Sequence, residues 1–190
     1  MKSITAHGCS ITAGVGIPKR GAWPNQLAHI MNINKVHNLG IPGADSSRIL
    51  YEIMHTKPQG TIIIMWPGFD RYSIKHSKGW HQLLPAHDAK HHKPLDTLYY
   101  ESMYTPENHH WITHTHITLA HHHLKSLGCE QHHFTWEHHS LALEQPGWNP
   151  VTLHPVQFDY STLPMASDGA HPGVEAHRKV ALQMYQKISK

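Results

Sequence analysis

The chain alternates between short apolar runs and longer stretches in which apolar residues recur at helical spacing. The run TIIIMW, residues 61–66, is apolar at every position but its first, which is typical of a parallel strand covered on both faces. Further strands are predicted in SITAHGC (residues 3–9), KVHNLG (35–40) and EQHHFTWE (130–137). The helical spacing predicts helices over residues 22–32, 44–55, 105–128 and 171–190.

The ends and the inner faces of these helices follow from the same pattern. Thr105 is a predicted N-cap, Pro106 fits the first turn after it, and Gly128 is expected to end that helix. The residues predicted to face the sheet, helix by helix, are Leu27, Ile30 and Met31, then Ile49, Leu50, Ile53 and Met54, then Trp111, Ile112, Leu119 and Leu124, and finally Val174, Ala181, Leu182 and Tyr185.

Strands that alternate with helices indicate the α/β class, here a three-layer α/β/α sandwich with a central, mostly parallel sheet. We expect a single domain over residues 1–190, in which residues 70–105, rich in His, Lys and Pro, form a lid or pocket insertion. Residues 145–165 hold several prolines and are predicted to be a loop. Ligands of such sheets bind at the carboxyl ends of the strands, which makes the segments that follow the strands candidates for a site.

Composition narrows the classes of function. The chain has 190 residues, 39% of them apolar, and no apolar run approaches the ~20 residues that cross a membrane. The start MKSITAHGCS lacks the apolar region of a signal peptide, so we expect a cytoplasmic protein without a membrane partner. The net charge is only +3, with no dense Lys/Arg block, which argues against nucleic-acid binding. Cys9 and Cys129 form no CxxC pair, so neither a disulfide framework nor a zinc site is expected.

Histidine is unusually frequent, with 23 residues. His110 and His114 stand at i, i+4 in a predicted helix, and His109 and His116 are a heptad apart, which can place two imidazoles on one metal ion. The zincin motif HExxH is absent. We therefore expect a histidine-rich, solvated helix face, with no dedicated metal site and no cofactor.

A serine and a carboxylate–imidazole pair stand near opposite ends of the chain. Ser10 lies just past the first predicted strand, in AHGCSITAG, whereas Asp168 and His171 are three residues apart before the last helix. Serine alone is a weak nucleophile and needs a base. A carboxylate bonded to one ring nitrogen of histidine fixes the tautomer, and the other nitrogen can then take the serine proton. The pattern predicts a triad of Ser10, His171 and Asp168.

With these motifs the chain resembles the SGNH (GDSL-type) esterases and lipases. GCSIT is similar to the first block of the family with Cys9 in place of aspartate, NLGIPGADS is similar to the second block, and DGAHPGVEAH is similar to the last, Asp-x-x-His-Pro. The resemblance implies an SGNH hydrolase-like, flavodoxin-like fold and an oxyanion hole built from the backbone N–H groups of Ser10 and Gly43. It also implies small esters as substrates, including acetyl groups on carbohydrates.

The third block departs from the family, which has Gly-x-Asn-Asp with the asparagine as an oxyanion donor. Here WPGFDRY places Phe69 at that position in one alignment and Asp70 in the other, and neither side chain supplies an amide N–H. One lost donor costs roughly 3–4 kcal/mol of transition-state stabilisation when nothing replaces it. Arg71 and Asn38 are the neighbours that could compensate, although Asp70 and Arg71 are otherwise expected to form a structural ion pair.

The sequence thus predicts a serine esterase that cleaves small or acetyl esters, including esters of carbohydrates, through an acyl-enzyme intermediate and without a metal or organic cofactor. The departure in the third block keeps a second hypothesis open, a catalytically weak or inactive SGNH-fold protein that binds a carbohydrate or a partner protein. The histidine content keeps a third hypothesis open, a metal-binding protein.

Overall fold

The computed structural model of the protein describes residues 3–83, 94–136, 151–157 and 163–190. Its strands are β1 Ser3–Gly8, β2 Lys35–Gly40, β3 Thr61–Met65, β4 Tyr72–His76, β5 Gly79–Leu83, β6 Gln131–Trp136 and β7 Leu153–Val156. Five of them form a parallel sheet in the order β2-β1-β3-β6-β7. The other two, β4 and β5, pair antiparallel as a separate hairpin.

The helices are α1 Ser10–Ala13, α2 Trp23–Ile30, α3 Ser46–His55, α4 Pro94–Ser102, α5 Pro106–Ser126 and α6 Val174–Ile188. The predicted N-cap is confirmed, because the Thr105 side chain accepts a hydrogen bond from the backbone N–H of Asn108. None of the helices in the described part of the chain is long and apolar enough to span a membrane.

The third strand shows how the sheet is covered on both faces. Ile63 and Met65 belong to a core cluster that includes α2 and α6, whereas Ile62 and Ile64 belong to a second cluster that includes α3 and α5. Successive side chains of a strand point to opposite faces, so each face of β3 is buried under its own layer of helices. The three-layer α/β/α sandwich with a parallel sheet is thereby confirmed.

The order of the strands fixes where a ligand can bind. From β1 the chain first crosses to β2 on one side and later reaches β3 on the other side of β1. The connections that leave the carboxyl ends of β1 and β3 therefore diverge, and the crevice between them is the usual ligand site of an open α/β sheet. Ser10 follows β1, and the segment 66–71 follows β3.

The inner face of α5 differs from the prediction. Leu124 faces the sheet as expected, but Trp111 and Leu119 are exposed. The buried row follows helical geometry and includes polar side chains, namely His109, Thr113, His114, Ile117, Ala120 and Leu124. The prediction chose the most apolar residues of the helix, whereas the helix buries the residues that share one side of its axis, including the polar ones.

Helices α6 and α3 show the same kind of difference on a smaller scale. In α6, Ala181 is buried as predicted, but Val174, Leu182 and Tyr185 are exposed, and Val180 and Met184 take their place in the core. In α3, the predicted core positions are buried except for the exposed Met54.

Two segments expected to be irregular contain regular structure. The predicted insertion at residues 70–105 includes the β4–β5 hairpin and α4, with residues 84–93 outside the described part, and its role as a lid stays a prediction. The predicted loop at residues 145–165 contains β7, with residues 145–150 and 158–162 outside the described part, so that prediction is wrong for residues 153–156. Pro155 argued against a strand in the sequence, but β7 is an end strand of the sheet, where proline is tolerated.

Candidate active site

Ser10 is the first residue of α1 and lies two residues after β1. Between them Cys9 occupies the N-cap position, fully buried, and its side chain makes no capping hydrogen bond. The Ser10 residue is only 7% exposed, yet its Oγ makes no hydrogen bond within the described ranges. The fold therefore places a hydroxyl group that bonds to none of the described residues at the carboxyl end of the strand next to the crevice.

Asp168 and His171 form the tight turn that leads into α6. One carboxylate oxygen of Asp168, Oδ1, accepts the backbone N–H groups of Ala170 and His171, each at 3.0 Å. The other, Oδ2, lies 2.6 Å from Nδ1 of His171. These two backbone hydrogen bonds, together with the one from the His171 ring, lower the pKa of Asp168 to about 2.

The low pKa of Asp168 decides the tautomer of His171. An ionised carboxylate only accepts hydrogen bonds, so the hydrogen in the 2.6 Å contact must belong to Nδ1 of His171. Nε2 of the neutral ring then carries a lone pair and can accept a proton. The pair thus has the chemistry of a general base held in one orientation.

The loop after α1 brings this turn toward Ser10. The backbone N–H and the hydroxyl of Ser167 both donate to the carbonyl oxygen of Gly16, at 3.0 and 2.8 Å. Gly16 has a φ of +77°, and a Cβ there would lie 2.8 Å from Cγ of Asp168. The carboxylate therefore packs on a backbone that only glycine can provide without strain, six residues after Ser10. Within the described ranges no hydrogen bond joins Ser10 Oγ to His171.

Two backbone N–H groups, of Ser10 itself and of Gly43, have no acceptor among the described residues. The two residues belong to neighbouring segments, because Gly8 pairs with Gly40 at the ends of β1 and β2 and the N–H of Ile41 donates to the carbonyl of Gly8. Gly43 has a φ of +75°. Unpaired N–H groups at such a place are suitable donors for an anion.

Asn38 holds the backbone around Ser10. Its Nδ2 donates to the carbonyl oxygen of Thr12 in α1 at 2.7 Å, and its Oδ1 accepts the N–H of Gly40 at 3.0 Å. Both ends of the amide are thus bonded to backbone groups. Asn38 ties the end of β2 to the helix that carries Ser10, and its proposed part as an oxyanion neighbour stays a prediction.

The segment that departs from the family, with Phe69, Asp70 and Arg71, is fixed through its carbonyl groups. His109 Nδ1–H donates to the carbonyl of Phe69 at 2.7 Å, and the Tyr100 hydroxyl donates to that of Asp70 at 2.6 Å. No ion pair joins Asp70 and Arg71 among the described residues, so the predicted pair is wrong. The aromatic ring of Phe69 packs edge-on against His110, with ring centroids 3.8 Å apart.

Three residues that the sequence did not assign to this site hold these segments together. His109, 2% exposed, binds Phe69 on one side and accepts the hydroxyl of Tyr99 at 2.6 Å on the other. Asp45, 1% exposed, caps α3 and also accepts the N–H of Ser73 in β4 at 2.9 Å. Gln82 in β5 donates to the carbonyl of Pro42. Only the capping role of Asp45 has a local sequence signal.

The histidines of α5 do not form the solvated face that was predicted. His109 and His114 are buried, at 2% and 5% exposure, so the prediction is wrong for both, whereas His122 is exposed. Burial lowers the pKa of His109 and of His114. Within the described ranges, no group of three or more His, Cys, Asp or Glu residues is placed to hold a metal ion.

No protein-family model and no curated protein matches the chain, but solved structures do. The acetyl xylan esterase Est2A from Butyrivibrio proteoclasticus matches with a TM-score of 0.63 and 10% identity, over 98% of this chain and 63% of that one. A member of the lipolytic protein G-D-S-L family from Veillonella parvula DSM 2008 matches with a TM-score of 0.53 and 13% identity, over 100% of both chains. A carbohydrate acetylesterase family member from Sinorhizobium meliloti matches with a TM-score of 0.53 and 13% identity, over 99% and 97%. The chain therefore has the α/β fold of the SGNH (GDSL-type) hydrolases, which is the fold that the resemblance implied.

Proposed function

We propose that the protein is a serine esterase whose triad is Ser10, His171 and Asp168. Ser10 Oγ attacks the ester carbonyl carbon while His171 Nε2 takes the hydroxyl proton, and the carbonyl oxygen becomes an oxyanion. The backbone N–H groups of Ser10 and Gly43 donate to that oxyanion. When the intermediate collapses, His171 returns the proton to the departing alcohol, and a water molecule activated by His171 then releases the acid from Ser10.

The observation that carries this proposal is the bond between Asp168 and His171. It leaves Nε2 of His171 as a base, in a turn bonded to the loop that follows the Ser10 helix. The N–H groups of Ser10 and Gly43, which donate to none of the described residues, support it, because an oxyanion needs donors without another acceptor. The absence of a hydrogen bond between Ser10 and His171 in the described residues is compatible with it, since catalytic hydrogen bonds often tighten only when substrate binds.

Small esters, and acetyl esters of carbohydrates in particular, are the proposed substrates. Two of the solved structures with this fold are described as an acetyl xylan esterase and as a carbohydrate acetylesterase family member. Only the fold is shared at such identities, so a panel of p-nitrophenyl esters of increasing acyl length and of acetylated sugars would determine the preference. A clear preference for long acyl chains would contradict this substrate class.

The decisive experiment combines turnover with covalent labelling of Ser10. The wild-type protein should hydrolyse p-nitrophenyl acetate and react with a fluorophosphonate probe at Ser10, as read by mass spectrometry of the labelled peptide. Ser10→Ala should lower kcat by ~10³-fold or more and abolish labelling. Ser47→Ala, which removes another serine hydroxyl that bonds to Asp45, is the matched control and should keep both properties. Retention of half the esterase rate by Ser10→Ala would exclude Ser10 as the nucleophile.

A second candidate, a binding protein with weak or no catalysis, is favoured by one observation. The segment after β3 offers Phe69 and Asp70 where the family has its asparagine donor. If wild-type protein binds acetylated sugars in calorimetry but neither turns over esters nor takes up the phosphonate, this candidate replaces the esterase.

A further inference from the structure

We propose that Gln82, in the β4–β5 hairpin, is a positioning residue that orients the oxyanion-binding N–H of Gly43. This inference rests on the proposed esterase function and concerns how the hole works without the asparagine of the third block. Gln82 lies far along the chain from the three motifs that resemble the family. Its amide nevertheless reaches the peptide that joins Pro42 to Gly43.

The hydrogen bond from Gln82 is made to the Pro42–Gly43 peptide group, whose N–H is the proposed oxyanion donor. Gln82 Nε2 donates to the carbonyl oxygen of Pro42 at 2.9 Å. The Pro42 carbonyl and the Gly43 N–H belong to the same planar, trans peptide unit, so they point in opposite directions and rotate together. A hydrogen bond that holds the carbonyl therefore also holds the direction of the N–H. Since hydrogen bonds in a chain polarise one another, the same bond also makes the Gly43 N–H a stronger donor.

The packing at Gly43 is built around the Gln82 side chain. A Cβ on Gly43 would lie 2.1 Å from Oε1 and 2.8 Å from Nε2 of Gln82, so any other residue at position 43 would displace the Gln82 amide. Gly43 also has a φ of +75°, a conformation that favours glycine. The amide of Gln82 thus packs directly against Gly43, whose backbone N–H would donate to the oxyanion. Glycine at this position serves the close contact as well as the turn.

The hairpin that carries Gln82 is itself anchored on both strands. Gln82 pairs with Ser73, whose backbone N–H donates to the buried carboxylate of Asp45 at 2.9 Å. The carbonyl of the next residue, Leu83, accepts the Tyr100 hydroxyl at 3.0 Å. Asp45 caps α3 only two residues after Gly43, so the loop, the cap, β4 and Gln82 form a closed ring of contacts. The strand that carries the glutamine is therefore held against the Gly43 loop, within reach of the Pro42 carbonyl.

This arrangement offers a substitute for the lost side-chain donor. In the family the asparagine would donate to the oxyanion itself, whereas Phe69 and Asp70 here provide no such group. The Gln82 amide lies on the carbonyl side of the peptide and acts through Gly43 instead. The oxyanion would then be stabilised by two backbone N–H donors, of Ser10 and Gly43. The Gly43 donor would be oriented and polarised by the hydrogen bond from Gln82 to the Pro42 carbonyl, which would offset the loss of the third donor.

The first test measures catalysis in Gln82→Met, which keeps the length of the side chain and removes the amide. We expect kcat for p-nitrophenyl acetate to fall about 10-fold or more while KM stays the same, since the oxyanion exists only in the transition state. Affinity for a trifluoromethyl ketone, whose adduct with serine carries an oxyanion, should fall by a similar factor. Lys75→Met, on the neighbouring strand of the hairpin, is the matched control and should change neither value.

The second test does not depend on turnover. The ¹⁵N shift of an amide responds to a hydrogen bond at the carbonyl of its own peptide, so the Gly43 signal should move in Gln82→Met and stay in Lys75→Met. An unchanged Gly43 signal would overturn the inference, and so would wild-type kcat in a folded Gln82→Met protein, or equal losses in the two hairpin variants. If the wild-type protein neither hydrolyses esters nor labels at Ser10, the esterase proposal fails, and the Gly43 signal alone then decides whether Gln82 orients this peptide.

Discussion

A single carboxylate, Asp168, both shapes the turn before α6 and orients the imidazole of His171. Its Oδ1 accepts the backbone N–H groups of Ala170 and His171, and its Oδ2 accepts the ring N–H of His171. Because the two tasks use different oxygens, a substitution can separate them. An amide in place of the carboxylate keeps an oxygen for the turn but places an N–H donor next to the ring.

Asp168→Asn should therefore lower kcat by ~10³-fold or more with little loss of stability. The amide N–H would face Nδ1 of His171 and favour the tautomer with its hydrogen on Nε2, which cannot accept the serine proton. The measurement is ester hydrolysis together with the thermal unfolding midpoint. A variant that keeps more than a tenth of the wild-type kcat would show that the carboxylate does not orient the base.

The pH dependence of hydrolysis should report on His171 and not on Asp168. The pKa of Asp168 is lowered to about 2, so its carboxylate stays ionised through the range in which esterases are assayed. Protonation of His171 removes the acceptor on Nε2, and kcat/KM should fall on the acid side for that reason. Circular dichroism at each pH separates this effect from unfolding. A profile that is flat from pH 5 to 8 would contradict the assignment of His171 as the base.

At the scale of secondary-structure elements, Asp45 connects helix α3, the Gly43 loop and the β4–β5 hairpin. It caps α3 through the N–H of Arg48 at 3.0 Å, follows the Gly43 loop, and accepts the N–H of Ser73 in the hairpin. Thr105 at the start of α5 is a simpler cap, with one exposed hydrogen bond to the N–H of Asn108. The two residues provide a matched pair for measuring what the extra contact contributes.

Asp45→Ala should cost about 2–4 kcal/mol of the free energy of unfolding, against about 1 kcal/mol for Thr105→Ala. Both variants lose a cap, but only the first also leaves the buried N–H of Ser73 without its acceptor. Chemical denaturation measures both values. Equal losses in the two variants would mean that the hairpin does not depend on Asp45.

The elements were more predictable than their orientation. Continuous apolar runs and caps located β1, β2, β3, β6 and the four long helices, because these signals are local. Which side of α5 is buried was not predictable, since His109 and His114 occupy the core side although histidine is a polar residue. His109 can be buried on this side because both of its ring nitrogens form hydrogen bonds, one with the Phe69 carbonyl and one with the Tyr99 hydroxyl, and both partners lie outside α5. Such partners are not visible from the periodicity of one segment.

For the whole molecule, buried histidines make stability depend on acidity. Burial lowers the pKa of His7 to about 4, of His133 to about 3 and of His177 to about 4. His133 shows the structural cause, because its Nδ1 accepts the indole N–H of Trp66 and cannot take a proton without losing that bond. In the unfolded chain these residues bind protons near pH 6.5.

The unfolded state therefore binds more protons than the folded state from about pH 6.5 down to about pH 4, and to about pH 3 for His133. Stability is complete above pH 6.5 and should fall as the pH decreases through this window, by about 1 kcal/mol per pH unit for each histidine. Urea unfolding at several pH values measures the slope. His133→Phe should reduce the slope by about one such increment, whereas His122→Gln, at an exposed site, should leave it unchanged. Equal slopes in wild type and His133→Phe would contradict the prediction.

The candidate site could be predicted only where a motif states the chemistry. Ser10, Asp168 and His171 were named from residue types and short spacing, Gly43 was named from a resemblance, and the roles of all four stay predictions. Gln82 could not be found in this way, because its contact with Pro42 spans 40 residues and depends on how the hairpin folds back over the loop. The structure supplies that juxtaposition.

The pairing of α2 with α6 has a consequence for the newly made chain on the ribosome. One face of β1 and β3, with Ile4 and Ile63, is covered by helices from both ends of the sequence, including Val180 and Met184 of α6. Until α6 leaves the exit tunnel, α1 and α2 are the only other helices of the described residues against that apolar face, and a stalled or truncated chain would expose it to other chains. Asp168 and His171, the residues of the proposed base, come directly before α6 in the chain. The nascent protein therefore acquires them and the cover over this apolar face at nearly the same time.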